Sequence, residues 1–244
     1  MKQIVTSYIN PDLDGTASMY AYAEYLNKTG KEGNYYIAGV PQKEVKIVCD
    51  MFQIVLEGEQ ELEENQKLVI VDTNSLAYVP FTKTENVVEI IDHHPKSEDL
   101  EKLINAKIQI ETLGAVATLI AEKFKENEIP ISRNAAILLY YGIISNSVNL
   151  KAKVTTKKDI EMANWLSAQC KEIDKEKIKE IFTLKSQIQG DLKKEMEVEI
   201  PFDYQDKKII IGQLEIVEIA TFLNQYETQI QIILTNVKKE KNVD

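Results

Sequence analysis

The sequence is poor in several features, and each shortage excludes a class of protein. Its two cysteines, Cys49 and Cys170, are too few for a disulfide framework or a cysteine zinc site, so two buried thiols are expected. Lys and Arg number 29 against 39 Asp and Glu, and the net charge of −10 argues against a nucleic-acid partner. No apolar run approaches the roughly 20 residues that span a bilayer. We therefore expect a soluble, cytoplasmic protein without a membrane partner.

Histidine is equally scarce, and both copies are adjacent. His93 and His94 directly follow Asp92 at the end of the apolar run "VVEIID". Taken alone, such a pair is often a solvated part of a loop. The alternative is that the imidazoles bind a metal or a substrate, which requires further ligands nearby.

The first half of the chain alternates short β-branched runs with helical patterns. This order is typical of the α/β class, in which a parallel sheet is covered by flanking helices. After residue 114 the periodicity is helical, with Ser132 and Thr156 as expected helix N-caps. The predicted strands are "QIVTSYI", "NYYIAGV", "KLVIVD" and "VVEIID".

Near Gly190 the pattern changes from helical to two strands joined by a turn, followed by a final helix. We place a domain boundary here, with one domain over residues 1–188 and a smaller one over residues 195–244. The second segment is near the lower size limit for an independent core. We expect a large α/β domain followed by a small, incomplete α/β domain.

Aspartates follow three of the predicted strands. Asp12 and Asp14 come after the first strand, Asp72 ends a later one and Asp92 ends the next. Parallel sheets bind ligands beyond the carboxyl ends of their strands, so these side chains and His93 should converge. Carboxylates mixed with imidazoles suit divalent manganese, cobalt, magnesium or zinc, and a pair of such ions is a common device for attack on phosphorus. The alternative for Asp14 is a simple helix N-cap.

Four short motifs resemble those of the DHH phosphoesterases, and most closely those of the manganese-dependent (family II) inorganic pyrophosphatases. Their order, spacing and flanking residues agree together, and the similarity extends from the first strand to near Gly190. The motifs as they stand in this chain are "YINPDLD", "VDTN", "DHH" and "GIISNSVNLKAKVTT".

The resemblance implies two divalent metal ions, with manganese expected and cobalt or magnesium as alternatives. Asp12 and Asp72 would bind the first ion. Asp14, Asp72 and His93 would bind the second, so that Asp72 bridges the two. Asn146 stands in the fourth motif where the family has a further aspartate, and its carbonyl oxygen would contribute to the second ion.

The resemblance also implies roles toward a small phosphorylated substrate, pyrophosphate or polyphosphate. His94 would contact the phosphate, and Asp92 would orient the histidine loop. Lys185 resembles a lysine that contacts phosphate in the pyrophosphatases, although a solvated helix lysine is an equal alternative. The pyrophosphatases pair through their N-terminal domains, so a homodimer is an open expectation.

The chain departs from the family pattern at several positions. Tyr8 replaces the first motif's histidine, Thr73 replaces a histidine of the second motif, and Asn146 replaces an aspartate. The late arginine of the family is absent, because the single arginine is Arg133. The expected function is hydrolysis of pyrophosphate to two phosphates by a two-metal mechanism. The alternatives are a polyphosphatase or small-nucleotide phosphoesterase, or a binding or regulatory homologue with impaired catalysis.

Overall fold

The computed structural model of the protein describes residues 2–63, 65–79, 83–198 and 202–243. The chain divides into two compact units, Met1–Ile178 and Lys179–Asp244. This division precedes the boundary expected from the sequence, and the domain limits 1–188 and 195–244 stay a prediction.

The first unit is built on a five-stranded parallel sheet, which confirms the predicted α/β class. Its strands are β1 (Gln3–Thr6), β2 (Gly33–Tyr36), β3 (Lys67–Val71), β4 (Val87–Asp92) and β5 (Lys107–Ile110). Their spatial order is β2-β1-β3-β4-β5, and every neighbouring pair is parallel. All five carboxyl ends therefore lie at one edge, which is where the predicted site residues occur.

The sequence predicted four of these strands and missed β5. Its residues Lys107 and Ile108 are exposed, and the other two are half-buried. An edge strand that alternates lysine and glutamine with isoleucine has no continuous apolar run, so its sequence pattern does not predict a strand.

Helices flank the sheet of the first unit. They are α1 (Leu13–Lys28), α2 (Lys43–Phe52), α3 (Val116–Glu126), α4 (Arg133–Asn146) and α5 (Lys157–Gln169), followed by α6 (Lys175–Lys185) across the division. Helices α1, α3, α4 and α5 pack against one another. Helix α4 is buried on all sides from Ala135 to Ser145, so its C-terminal residue Asn146 is held among packed elements.

Side-chain caps fix the N-termini of α1, α4 and α5. Ser132 accepts a hydrogen bond from the amide of Ala135, and Thr156 forms a reciprocal capping box with Asp159, so both predicted N-caps are confirmed. The cap of α1 is Asp12, whose carboxylate accepts from the amide of Gly15 at 2.9 Å.

The second unit contains short strands and one long helix. Its elements are α7 (Leu192–Glu195), β6 (Glu197–Val198), β7 (Phe202–Tyr204), β8 (Lys207–Ile209), β9 (Gly212–Gln213) and α8 (Ile219–Lys241). Strands β7 and β8 agree with the two strands and turn expected there and pair in antiparallel fashion, and β6 pairs with β9 in addition. Residues 199–201 of the predicted strand region lie outside the described residues.

A small apolar core holds this second unit together. Leu192 and Met196 pack there with Ile233 and Val237 of α8. Over the described parts of both units, no helix combines the length and the apolar composition needed to cross a membrane.

Asp159 provides a test of the fold around the candidate site. Its buried carboxylate accepts from the amide of Gly114 at 3.0 Å, from the hydroxyl of Thr118 at 2.6 Å and from Thr156. Asp159→Ala leaves these donors unpaired, and we expect the free energy of unfolding to fall by about 3 kcal/mol. Urea denaturation measures the loss.

The control is Glu161→Ala, because Glu161 lies on the same helix and makes only an exposed ion pair with Lys125. That variant should leave the free energy of unfolding nearly unchanged. Equal losses in the two variants would contradict the role assigned to the Asp159 carboxylate.

Candidate metal centre

The predicted carboxylates and imidazoles meet at the carboxyl edge of the parallel sheet. Asp72 directly follows β3, and the two histidines directly follow β4. One candidate ligand atom from each of Asp72, His93 and His94 lies within 4.8 Å of the other two. Asp72 has a φ of +63°, a left-handed conformation that aspartate tolerates better than most residues. The convergence expected from the strand ends is therefore present.

Asp72 has a buried carboxylate whose hydrogen bonding is incomplete. Its side chain is 2 % exposed, and its Oδ1 atom has no hydrogen-bond donor among the described residues. Burial, and then the charges of Asp14 and Asp12, raise its pKa well above the ordinary value. A buried acceptor without a donor is unfavourable. A proton on this oxygen, or a cation bound to it, would remove that cost.

His93 faces this oxygen with a lone pair. Its Nδ1 lies 2.9 Å from the carbonyl oxygen of Leu113, and because a carbonyl only accepts, Nδ1 carries the hydrogen. In the neutral ring, Nε2 is then an acceptor. It lies 3.3 Å from Oδ1 of Asp72 and 3.7 Å from Oδ2 of Asp14. Three acceptor atoms thus face one another in a buried space, as expected of ligands around a cation.

Asp14 is held by the start of another helix. Its two carboxylate oxygens accept from the amides of Val116 and Ala117 in the first turn of α3, each at 2.8 Å. Burial raises the pKa of Asp14 to about 7, despite the opposite effect of His93. The alternative that Asp14 caps its own helix is wrong, because Asp12 caps α1 and Asp14 lies inside the first turn.

Asp92 organises the histidine loop. It accepts from the backbone amide of His93 at 2.7 Å, from Nδ1 of His94 at 2.9 Å and from the side-chain amide of Asn74. Burial opposes ionisation, yet the hydrogen bonds from His94 and Asn74 lower the pKa of Asp92 below its ordinary value. The hydrogen bond to Asp92 in turn raises the pKa of His94, whose side chain is 53 % exposed.

Two positioning residues were missed by the sequence reasoning. Asn74 also donates to the carbonyl of Pro95 at 3.0 Å and accepts from the amide of Ser97 at 2.6 Å, which fixes the loop after the histidines. Glu44 is buried in α2 and accepts from the amide of Leu13 at 2.8 Å. The motif "VDTN" contains Asn74 and could have identified it from the sequence, whereas Glu44 belongs to no motif.

Glu44 also joins two ends of the site. Its second carboxylate oxygen accepts from the hydroxyl of Ser145 at 2.5 Å, next to Asn146 at the end of α4. The start of α1 and the end of α4 are therefore tied to one buried side chain.

Asn146 presents its amide nitrogen to the cluster. Nδ2 lies 3.1 Å from Oδ2 of Asp14, 3.0 Å from the carbonyl oxygen of Gly114 and 3.5 Å from Nε2 of His93. The sequence expectation concerned the carbonyl oxygen of Asn146, and it is the nitrogen that faces Asp14.

Tyr8 lines the cavity next to the candidate metal ligands. Its hydroxyl accepts from the backbone amide of Asp12 at 3.1 Å. Burial, and then the charges of Asp12 and Asp72, raise its pKa, so the phenol stays neutral at ordinary pH. A neutral phenol is a poor metal ligand, and the Tyr8 hydroxyl is hydrogen-bonded to both the backbone and the side chain of Asp12.

A cavity of about 340 Å³ opens above these groups. A phosphate group or a small phosphorylated molecule is within the size that such a space accommodates. The lining residues are Tyr8, Asp12, Asp72, Thr73, Asn74, Ser75, Tyr78, His94, Pro95, Ser97 and Asn146.

Lys185 belongs to the second unit. Its ammonium lies 2.7 Å from a carboxylate oxygen of Glu215 in the same unit. The predicted contact of Lys185 with a phosphate stays a prediction.

The raised pKa of Asp14 predicts how the stability of metal-stripped protein depends on pH. A carboxyl whose pKa rises on folding, here from 3.8 to about 7, stabilises the protein fully below pH 4. This contribution is lost as the pH rises through 7. We expect the free energy of unfolding in chelator to decrease between pH 5 and pH 8, as urea denaturation would measure.

Asp14→Asn should flatten this profile, whereas Asp50→Asn, at an exposed carboxylate, should leave it unchanged. A wild-type profile that is already flat over this interval would contradict the prediction.

Comparison with known proteins assigns the fold to a family. The model of the DHH family N-terminal domain matches residues 2–143. A probable manganese-dependent inorganic pyrophosphatase of Streptococcus thermophilus is 30% identical over 171 residues, which are 68% of this chain and 54% of that protein. The chain thus spans about half the length of this relative.

Two further relatives match over most of the chain. The manganese-dependent inorganic pyrophosphatase of Methanothrix thermoacetophila is 28% identical over 97% of this chain and 77% of its own length. That of Bacillus subtilis is 28% identical over 100% of this chain and 80% of its own length.

Solved structures show the same fold. A Methanococcus jannaschii protein assigned to the family II inorganic pyrophosphatases superposes with a TM-score of 0.73 at 24% identity, over 99% of this chain and 80% of its own. An exopolyphosphatase-related protein of Bacteroides fragilis gives a TM-score of 0.54 at 17% identity, over 74% and 55%. Because the family model matches more than half of its 244 residues, the chain belongs to the DHH family.

Proposed function

We propose that the protein is a metal-dependent hydrolase of phosphoanhydride bonds that converts inorganic pyrophosphate to two phosphates. The observation that carries the proposal is the pair of buried acceptors at the sheet edge. Oδ1 of Asp72 and Nε2 of His93 lie 3.3 Å apart, and Oδ1 has no donor among the described residues. The names of the relatives support pyrophosphate as the substrate and manganese as the metal.

The donor set fits a divalent metal ion. Carboxylate oxygens and neutral imidazole nitrogens are ligands that Mn²⁺ accepts, and Co²⁺ or Mg²⁺ are alternatives. The hydrogen bond from Nδ1 of His93 to Leu113 fixes the tautomer that leaves Nε2 available, as is usual for metal-binding histidines. Asp12, Asp14, Asp72 and His93 are the candidate ligands, and the buried Oδ1 of Asp72 is the central one.

When bound, the divalent metal would polarise the phosphoryl group and offset its negative charge. His94 would act from the cavity wall. Its hydrogen bond to Asp92 fixes the ring and raises the pKa of the imidazole, so a protonated His94 can donate to a phosphate oxygen. Lys185 is proposed as a second donor to phosphate.

A second candidate substrate is a short polyphosphate or a small nucleotide. The observation that favours it is the composition of the cavity wall. Tyr8 and Tyr78 line the cavity, and none of the described residues that line it is Lys or Arg. Aromatic rings suit an organic group better than a bare phosphate, so this wall favours the small nucleotide over polyphosphate. The proposed cytoplasmic location and homodimer are additional predictions.

The direct test is phosphate release by metal-stripped protein supplied with Mn²⁺, Co²⁺ or Mg²⁺. Pyrophosphate, tripolyphosphate and ATP are compared as substrates. We expect release from pyrophosphate with Mn²⁺ and a loss of at least ~100-fold in Asp72→Asn, because the variant lacks the central negative charge. Asp50→Asn at an exposed carboxylate is the control and should keep full activity.

Each other outcome has a definite meaning. Release from only tripolyphosphate or ATP would support the second candidate. No release from any substrate with any of the metals would favour a binding or regulatory protein and would contradict the proposal.

Gly15 allows a separate prediction about metal affinity. A Cβ atom at this position would lie 3.0 Å from Oδ2 of Asp72 and 2.9 Å from the hydroxyl of Ser7. Gly15→Ala should displace the Asp72 carboxylate and weaken Mn²⁺ binding about 10-fold, which is about 1.4 kcal/mol. Calorimetric titration measures the affinity.

Gly142→Ala is the matched control, because its Cβ would meet other atoms only at ordinary contact distances of 3.4 Å or more. Unchanged Mn²⁺ affinity in Gly15→Ala would show that Asp72 is not a ligand, or that its carboxylate tolerates the new methyl group.

A further inference from the structure

Asn146 occupies the inner side of the candidate metal centre with a hydrogen-bond donor. Its Nδ2 atom lies 3.1 Å from Oδ2 of Asp14 and 3.0 Å from the carbonyl oxygen of Gly114. The same nitrogen is 3.5 Å from Nε2 of His93. The NH₂ group therefore stands between two of the side chains proposed as metal ligands.

The orientation of this amide is fixed by its neighbours. The carboxylate of Asp14 and the carbonyl of Gly114 can only accept hydrogen bonds, so the donor end of the amide must face them. The opposite orientation would direct the carbonyl oxygen at both acceptors. Gly114 is itself held, because its amide donates to the buried carboxylate of Asp159 at 3.0 Å.

Asp14 has little acceptor capacity left for a cation. Its oxygens already accept from the amides of Val116 and Ala117, and Asn146 provides a third donor. A carboxylate offers about four lone-pair positions in all. Asp72 differs, because its Oδ1 has no donor within the described part of the chain.

These contacts separate the centre into two sides. On one side, Oδ1 of Asp72 has no donor among the described residues, and one candidate ligand atom from each of Asp72, His93 and His94 lies within 4.8 Å of the other two. On the other side, the NH₂ group of Asn146 already donates a hydrogen bond to Asp14, and its protons would repel a cation. We propose, on the basis of the proposed function, that this protein binds one divalent cation, with Asp72 as its central ligand, and that the Asn146 amide takes the place of a second one beside Asp14.

The test is the number of Mn²⁺ ions bound by the metal-stripped chain of 244 residues. We expect one equivalent in wild type by calorimetry and by metal analysis after dialysis. Electron paramagnetic resonance should then show the spectrum of isolated Mn²⁺ ions. Asn146→Asp exchanges the donor for a carboxylate, so this variant should bind two equivalents and show the spectrum of a spin-coupled pair.

Asn149→Asp is the matched control for the added charge. Asn149 is exposed, three residues beyond Asn146, and its φ of 56° is one that aspartate also adopts. This variant should bind one equivalent, as wild type does.

The outcomes distinguish this inference from the proposed function. Two equivalents and a spin-coupled spectrum in wild type would overturn the inference, whatever the activity. One equivalent in folded Asn146→Asp would also overturn it, because the amide would then not be what excludes the second ion. If Asn146→Asp does not fold, the wild-type stoichiometry and spectrum decide. No Mn²⁺ bound by wild type would overturn both.

Discussion

A group of hydrogen-bond acceptors buried at the edge of a parallel sheet is the constraint on which the rest of the site depends. Oδ1 of Asp72 and Nε2 of His93 lie 3.3 Å apart with Asp14 beside them, and neither atom is a donor. Taking such groups out of water is costly unless protons or a cation compensate. The surrounding structure must therefore hold them together against their mutual repulsion.

Hydrogen-bond donors from other parts of the fold hold these acceptors in place. The first amides of α3 bind Asp14, and the side chain of Asn74 fixes Asp92 and with it both histidines. Glu44 ties the start of α1 to the end of α4. Each of these supports is a buried hydrogen bond between elements distant in sequence. A site held in this way is rigid before any ligand binds, which lowers the cost of binding.

The departures from the family pattern share one physical property. Tyr8 and Asn146 are neutral, and both make hydrogen bonds to the backbone or to a carboxylate of the site. Asn146 lowers the need for metal charge because it stands where the family has an aspartate, whereas Tyr8 stands where the family has a neutral imidazole. The substitution at Asn146 thus alters the charge balance at the carboxyl edge of the sheet.

The sequence by itself determined the α/β class, the strands β1 to β4, the N-caps Ser132 and Thr156, and the gathering of the aspartates and histidines at one edge. These features depend on local periodicity and on the common direction of parallel strands. It did not reveal β5, whose exposed edge lacks an apolar run. Only the tertiary structure decided that Asp14 binds the start of α3 and that the nitrogen of Asn146 faces Asp14, because those contacts join residues more than 100 positions apart.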